Sequence, residues 1–163
     1  MSVHPRQVTP SLLQIDSILT RLAGTAALAE VARFLRAEFA HYRWVGVYRL
    51  DGPLLRLTGW SGDQPTEHET IPVGRGVCGR AARENRSVVV GDVSKDPEYI
   101  ACFLATRSEI VVPIQDAGRV VGEIDIDGSE LNAYDASDVA FLERVAGRIA
   151  PAVGVAAAEP APP

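Results

Sequence analysis

The stretch Glu123-Ile124-Asp125-Ile126-Asp127 constrains this chain more than any other. Strict alternation is the period of a β-strand, whose successive side chains point to opposite faces. Ile124 and Ile126 share a face that other apolar groups must cover, while Glu123, Asp125 and Asp127 share the other. Carboxylates aligned on one face repel one another unless water or a cation lies among them. A second apolar run, Ile110-Val111-Val112-Pro113-Ile114, lies just upstream, so the pair reads as a hairpin. A loop of Asp116, Ala117 and Gly118, with Gly118 left-handed, sets Ile110 opposite Ile124, Ile114 opposite Val120 and Glu109 opposite Asp125. A two-residue loop would mix core with charge, so the apolar pattern selects the longer one. The acid face is then either the wet side of an antiparallel sheet or, with Val111, Pro113 and Val121 beside it, a pocket wall.

Elsewhere the apolar spacing is helical. Leu12, Ile15, Leu19 and Leu22 follow a start at Thr9-Pro10-Ser11, and Gly24 ends the run. Thr25 can cap a second helix carrying Leu28, Val31, Leu35 and Phe39 on one face. Residues 44–50 and 54–60 read as a hairpin around Asp51-Gly52-Pro53. Residues 61–70 read as a loop, 76–85 as a short helix and 87–90 as a short strand. Residues 92–106 show no periodicity, and a connection that long is often functional. Asp135 and Asp138 suit the start of a last helix, which Pro151 should kink or shorten. These elements describe an α+β domain with helices on the apolar face of a central antiparallel sheet and irregular inserts on the acidic face.

A chain of 163 residues fits one domain, placed at 9–155 between a flexible N-terminus at 1–8 and a disordered tail at 156–163. A net charge of −5 argues against a nucleic-acid partner, because phosphate binding needs a basic face. No apolar run reaches a membrane span, and residues 1–9 lack the apolar core of a secretory signal. Two cysteines in such a chain read as cytoplasmic thiols rather than a disulfide framework.

Gly74-Arg75-Gly76-Val77-Cys78-Gly79 matches a dinucleotide-binding pattern but lacks the strand and crossover that such a site requires. Its glycines more simply turn the backbone into a helix. Cys78 lies where a helix dipole can lower a thiol pKa, yet Ala82 one turn on suits plain packing. Cys102 sits in the irregular segment before the acidic hairpin, as a nucleophile candidate or a buried loop cysteine. His4, His41 and His68 share no metal-ligand spacing and the cysteines add none, so no metal site is expected. Trp44 and Tyr48 share a strand face, as core or pocket aromatics.

With these residues in view the chain resembles GAF domains, and within them the free methionine-(R)-sulfoxide reductases. The resemblance spans roughly Trp44 to Phe141 and rests on Trp44-Val-Gly-Val-Tyr48, Gly76-Val-Cys-Gly79, Ile100-Ala-Cys102, Arg107-Ser-Glu-Ile-Val-Val-Pro-Ile114 and Asp125-Ile-Asp127. It implies a GAF-like fold over 9–155 with a small-ligand pocket under loops. It also implies reduction of free methionine-(R)-sulfoxide through a sulfenic acid on Cys102. Asp127 joins Cys102 in the catalytic set, Glu109, Asp125, Trp44 and Tyr48 bind substrate, and Cys78 is the one other thiol that could resolve the oxidised state. No cofactor is implied beyond an external reductant, a small thiol or a thioredoxin-like protein. The position of the family's resolving cysteine holds His68, and Tyr99 and Phe103 replace its polar neighbours of Cys102. A GAF sensor that binds a small ligand without turning it over is the alternative, and the terminal helices leave a homodimer open.

Overall fold

The acidic hairpin closes more tightly than its sequence suggests. In the computed structural model, which describes residues 2–101 and 103–160, β5 (Ser108–Asp116) and β6 (Arg119–Gly128) are joined by Ala117 and Gly118 alone. Both have positive φ, 50° and 77°, the geometry of a two-residue turn whose twist matches the strands. A bulge between Ile114 and Gln115 then advances β5, so that Ile114 faces Gly122 and Ile110 faces Ile126. Glu109 consequently lies opposite Asp127 and not opposite Asp125, correcting the expected register. Apolar alternation decides which face each side chain takes, but registers two residues apart satisfy it equally.

The remaining elements are α1 (Pro5–Arg21), α2 (Gly24–Glu38), β1 (Trp44–Asp51), β2 (Leu54–Ser61), β3 (Thr70–Pro72), α3 (Gly76–Glu84), β4 (Val88–Val90) and α4 (Ala136–Ala158). The six strands form one antiparallel sheet in the order β3-β2-β1-β6-β5-β4, so the expected α+β architecture is the observed one. Strand β3 was missed because three residues show no periodicity.

Both chain ends belong to the fold further than expected. Helix α1 starts at Pro5, not Thr9, through a capping box of His4 and Gln7, and Val3 is buried, so residues 2–8 are not a flexible leader. Helix α4 continues through Pro151 to Ala158. Ala156 is buried, and the Glu159 carboxylate accepts hydrogen bonds from Thr25 N and Oγ1 at 3.1 and 2.6 Å. Glu159, rather than a Thr25 cap, supplies the negative charge at the start of α2. The expected tail thus begins too early at 156, and residues 161–163 lie outside the described residues.

Helices α1, α2 and α4 cover one sheet face, where Val45, Val47, Ile110, Val112, Ile124 and Ile126 pack against Leu28, Val31, Leu142 and Val145. Asp138, fully buried, accepts from Tyr42 Oη at 2.8 Å, lies 2.7 Å from His41 Nε2, and so ties the start of β1 to α4. Ile124→Ala in this core is expected to cost about 2–5 kcal/mol, through lost transfer energy and a cavity that cannot collapse between sheet and helices. Urea titration measures it as a lower midpoint at unchanged slope.

Candidate active site

The opposite sheet face carries the acids, and it is not wet. Glu123, Asp125, Asp127 and Glu109 are 0, 1, 3 and 5% exposed, which decides the question left open by their alternation in favour of a covered wall. The cover comes from α3 and the inserts, with Tyr48, Leu55, Val77, Cys78, Val90 and Val111 in one buried cluster and Tyr99 and Phe103 packed against it. Helix α3 can lie this close because residue 79 is glycine: a Cβ there would sit 2.6 Å from the Val73 carbonyl oxygen. Arg80 on α3 donates to both Asp96 oxygens, at 2.7 and 3.4 Å, and holds the following loop over the acids.

Two cavities flank the acid row. One, of about 130 Å³, is lined by Trp44, Phe103 and Asp127 together with Arg43, Asp63 and Thr106. Trp44, opposite Asp127 on β1, lies over Gly46, with its ring stacked on Trp60 at 6.3 Å and tilted against Phe103 at 5.5 Å. The other, of about 80 Å³, is lined by Cys78, Glu109, Asp125, His68, Ile100 and neighbouring residues of β3 and α3. Tyr48 is buried opposite Glu123, and its hydroxyl donates to the His68 carbonyl at 2.9 Å, bracing the 61–70 loop.

Burial dominates the electrostatics. It pushes the Glu123 and Asp127 carboxyls well above the usual range, with neighbouring Asp125 adding to both. Asp125 is raised by burial too, against a hydrogen bond shared with Glu109 that favours its ionised form. Both oxygens of Asp127, Oδ1 of Asp125 and Nε1 of Trp44 have no hydrogen-bonding partner among the described residues. Glu123 likewise closes no bond of normal geometry, although the Cys78 thiol is near enough to interact with its carboxyl. Buried polar atoms left in this state favour a ligand that brings its own donors and charge. The Cys78 thiol is itself pushed up, by burial first and then by Asp125, Glu123 and Glu109, so the helix terminus does not make it a thiolate.

The structure therefore brings Trp44 and Asp127 together in one cavity, and Cys78, Glu109 and Asp125 in the other. Cys102 lies outside the described residues. Of its neighbours in sequence, Phe103 lines the first cavity, and the Ala101 carbonyl accepts a hydrogen bond from His68 Nε2 at 3.2 Å. Neither Phe103 as a wall residue nor Trp60 as the ring stacked on Trp44 is foreseen, since nothing in their local sequence separates them from ordinary loop and strand aromatics.

A family model for the GAF domain matches residues 23–153. The chain belongs to the GAF family. It is 37% identical over 136 residues to GAF domain-containing protein A of Dictyostelium discoideum, covering 82% of this chain and 84% of that one. It is 32% identical over 133 residues to the free methionine-R-sulfoxide reductase of Escherichia coli, covering 82% of this chain and 76% of the relative. Among solved structures, the free methionine-R-sulfoxide reductase of Neisseria meningitidis in complex with its substrate superposes with a TM-score of 0.82 at 36% identity, covering 94% of this chain and 90% of that one. Within the GAF family, the chain thus groups with the free methionine-R-sulfoxide reductases.

Proposed function

We propose that this GAF protein reduces free methionine-(R)-sulfoxide to methionine, with Cys102 as nucleophile and Asp127 as proton donor. The observation that supports it most is the row of buried carboxyls beside a Trp44–Phe103 wall, an acid source next to an apolar slot. The slot suits an S-methyl group, and the acid pair Glu109 and Asp125 suits the ammonium of a free amino acid. The Cys102 thiolate attacks the sulfoxide sulfur, a carboxyl protonates the departing oxygen, and the S–O bond breaks. The departing hydroxide then adds to the Cys102 sulfur, and the sulfur–sulfur bond made in the attack breaks toward methionine. Methionine leaves with its sulfur reduced by two electrons, while Cys102 is left as a sulfenic acid. Two equivalents of external thiol then return Cys102 to the thiol, giving a disulfide and water. No prosthetic group enters this scheme, only a thiol reductant of the kind a reducing compartment such as the cytoplasm supplies. No helix among the described residues is long and apolar enough to cross a membrane.

A turnover assay with excess dithiothreitol tests the reading. Free R-sulfoxide should be consumed, and the S epimer and peptide-bound methionine sulfoxide should react at least about tenfold more slowly. Either would place its oxygen or its neutral amide against groups arranged for the other geometry. Absence of turnover with both free epimers would favour the ligand-binding sensor instead.

A further inference from the structure

The smaller cavity joins three side chains whose combination the reductase reading does not explain. Cys78 Sγ and one oxygen each of Glu109 and Asp125 lie within 4.8 Å of one another, all on buried residues. They come from α3, β5 and β6, so their meeting is a product of the tertiary fold and is invisible in sequence spacing. His68 stands on the wall of the same cavity, and the exposed Arg75 lies at its mouth. Asp125, 1% exposed, turns into this cavity with its Oδ1 unpartnered among the described residues. An ammonium group satisfies carboxylates but gains nothing from a thiol. A sulfur set between two carboxylates is a donor set for a borderline divalent cation, which binds sulfur near 2.3 Å and oxygen near 2.0 Å.

We propose that Cys78, Glu109 and Asp125 form a binding site for a zinc-class divalent cation, with the fourth position taken by water or His68. Metal–sulfur bond formation releases the thiol proton to solvent, and the proton shared between the two carboxyls leaves with it. The cation then neutralises a cluster whose charge the surrounding apolar residues cannot. Resting on the reductase reading, a second consequence follows. Glu109 and Asp125 serve both ligands, so metal and amino-acid substrate exclude each other and the cation is a reversible inhibitor.

The test uses Cys102→Ser protein, in which Cys78 is the one remaining cysteine. Titration with Cd²⁺ or Co²⁺ should give an ultraviolet thiolate-to-metal charge-transfer band saturating at one equivalent. The band should vanish when Cys78→Ser is added, and Glu109→Gln or Asp125→Asn should weaken binding at least about tenfold, with near-ultraviolet circular dichroism verifying the fold of each variant. Folded Cys102→Ser protein without such a band, or a band that survives Cys78→Ser, overturns the site. A band that forms supports the site whether or not free methionine displaces the metal; failure of displacement overturns the mutual exclusion drawn from the reductase reading and leaves the metal site standing.

Discussion

Replacing Cys102 with serine is expected to lower dithiothreitol-driven turnover by at least about 10³-fold, whereas Cys78→Ser keeps a substantial part of it. A serine hydroxyl at neutral pH is a far poorer nucleophile than a thiolate and cannot carry the oxygen away as a sulfenic acid. The Cys78 thiol is held protonated by burial and by three carboxyl neighbours, so it is poorly suited to attack. The same chemistry separates the reductants. His68 occupies the position where the resembled reductases place a resolving thiol, and meets the Ala101 carbonyl through a hydrogen bond at 3.2 Å. A disulfide needs Cα atoms within about 7 Å and an accessible attacking thiol. Turnover should therefore run on small thiols and be at least about tenfold slower with thioredoxin as sole reductant. After one turnover without reductant, mass spectrometry should find oxidised or trappable Cys102 and free Cys78. Quantitative Cys78–Cys102 disulfide with efficient thioredoxin turnover would show that Cys78 resolves the intermediate, and full activity in Cys102→Ser would remove Cys102 as nucleophile.

The alternation of Glu123 to Asp127 with two isoleucines was enough to foresee an acidic strand face and an apolar one, because a pleated strand has no other way to sort them. What alternation could not supply was the phase of pairing beyond parity. The Ala117-Gly118 turn and the bulge after Ile114 together move Glu109 from Asp125 to Asp127, and a bulge leaves no local signature in a run of β-branched residues. The same strand could not say whether its acids were wet. That depends on α3, Tyr99 and Phe103 arriving above it, and thus on Gly79 and the Arg80–Asp96 pair. Chain ends failed for a related reason. The His4–Gln7 capping box and the bond from Thr25 to Glu159 are an unusual local partner and a tertiary one, where helix starts ordinarily carry Ser, Thr, Asp or Asn as the cap. The candidate site was legible where residue types carried it, at Trp44, Glu109, Asp125 and Asp127. It was illegible where only the fold brings residues together, as with Cys78 beside Glu109 and Asp125.

Glu123→Gln is expected to stabilise the protein by about 1–3 kcal/mol at pH 8, and to flatten a stability that otherwise falls between pH 5 and pH 8. Glu123 is fully buried, closes no hydrogen bond of normal geometry, and its carboxyl is pushed well above the usual range by burial; Asp127 is pushed up likewise and Asp125 is raised too. In the unfolded chain these groups lose their protons near pH 4, whereas the folded protein retains them to higher pH. The folded state therefore binds more protons over that interval, and unfolding free energy declines as pH rises, by up to about 1.4 kcal/mol per pH unit for each group. Their favourable contribution is complete below the ordinary carboxyl range and is lost as pH rises through the folded values. The lowered carboxyls of Asp92 and Asp135 act in the opposite sense, but their contribution is lost only as pH falls below that range. A glutamine keeps the shape of Glu123 without a titrating proton, so it removes one share of the decline and leaves those of Asp125 and Asp127. In a domain of this size each kcal/mol moves the melting temperature by roughly 2–4 °C, so thermal scans at pH 5, 6.5 and 8 on both proteins resolve the effect. Free methionine, whose ammonium group draws the proton off the raised Asp125 carboxyl on binding, should raise the melting temperature of the parent protein more at pH 8 than at pH 5. Stability of the parent that rises from pH 5 to pH 8, or Glu123→Gln melting below it at pH 8, would show that the acid row is ionised and compensated in the folded protein.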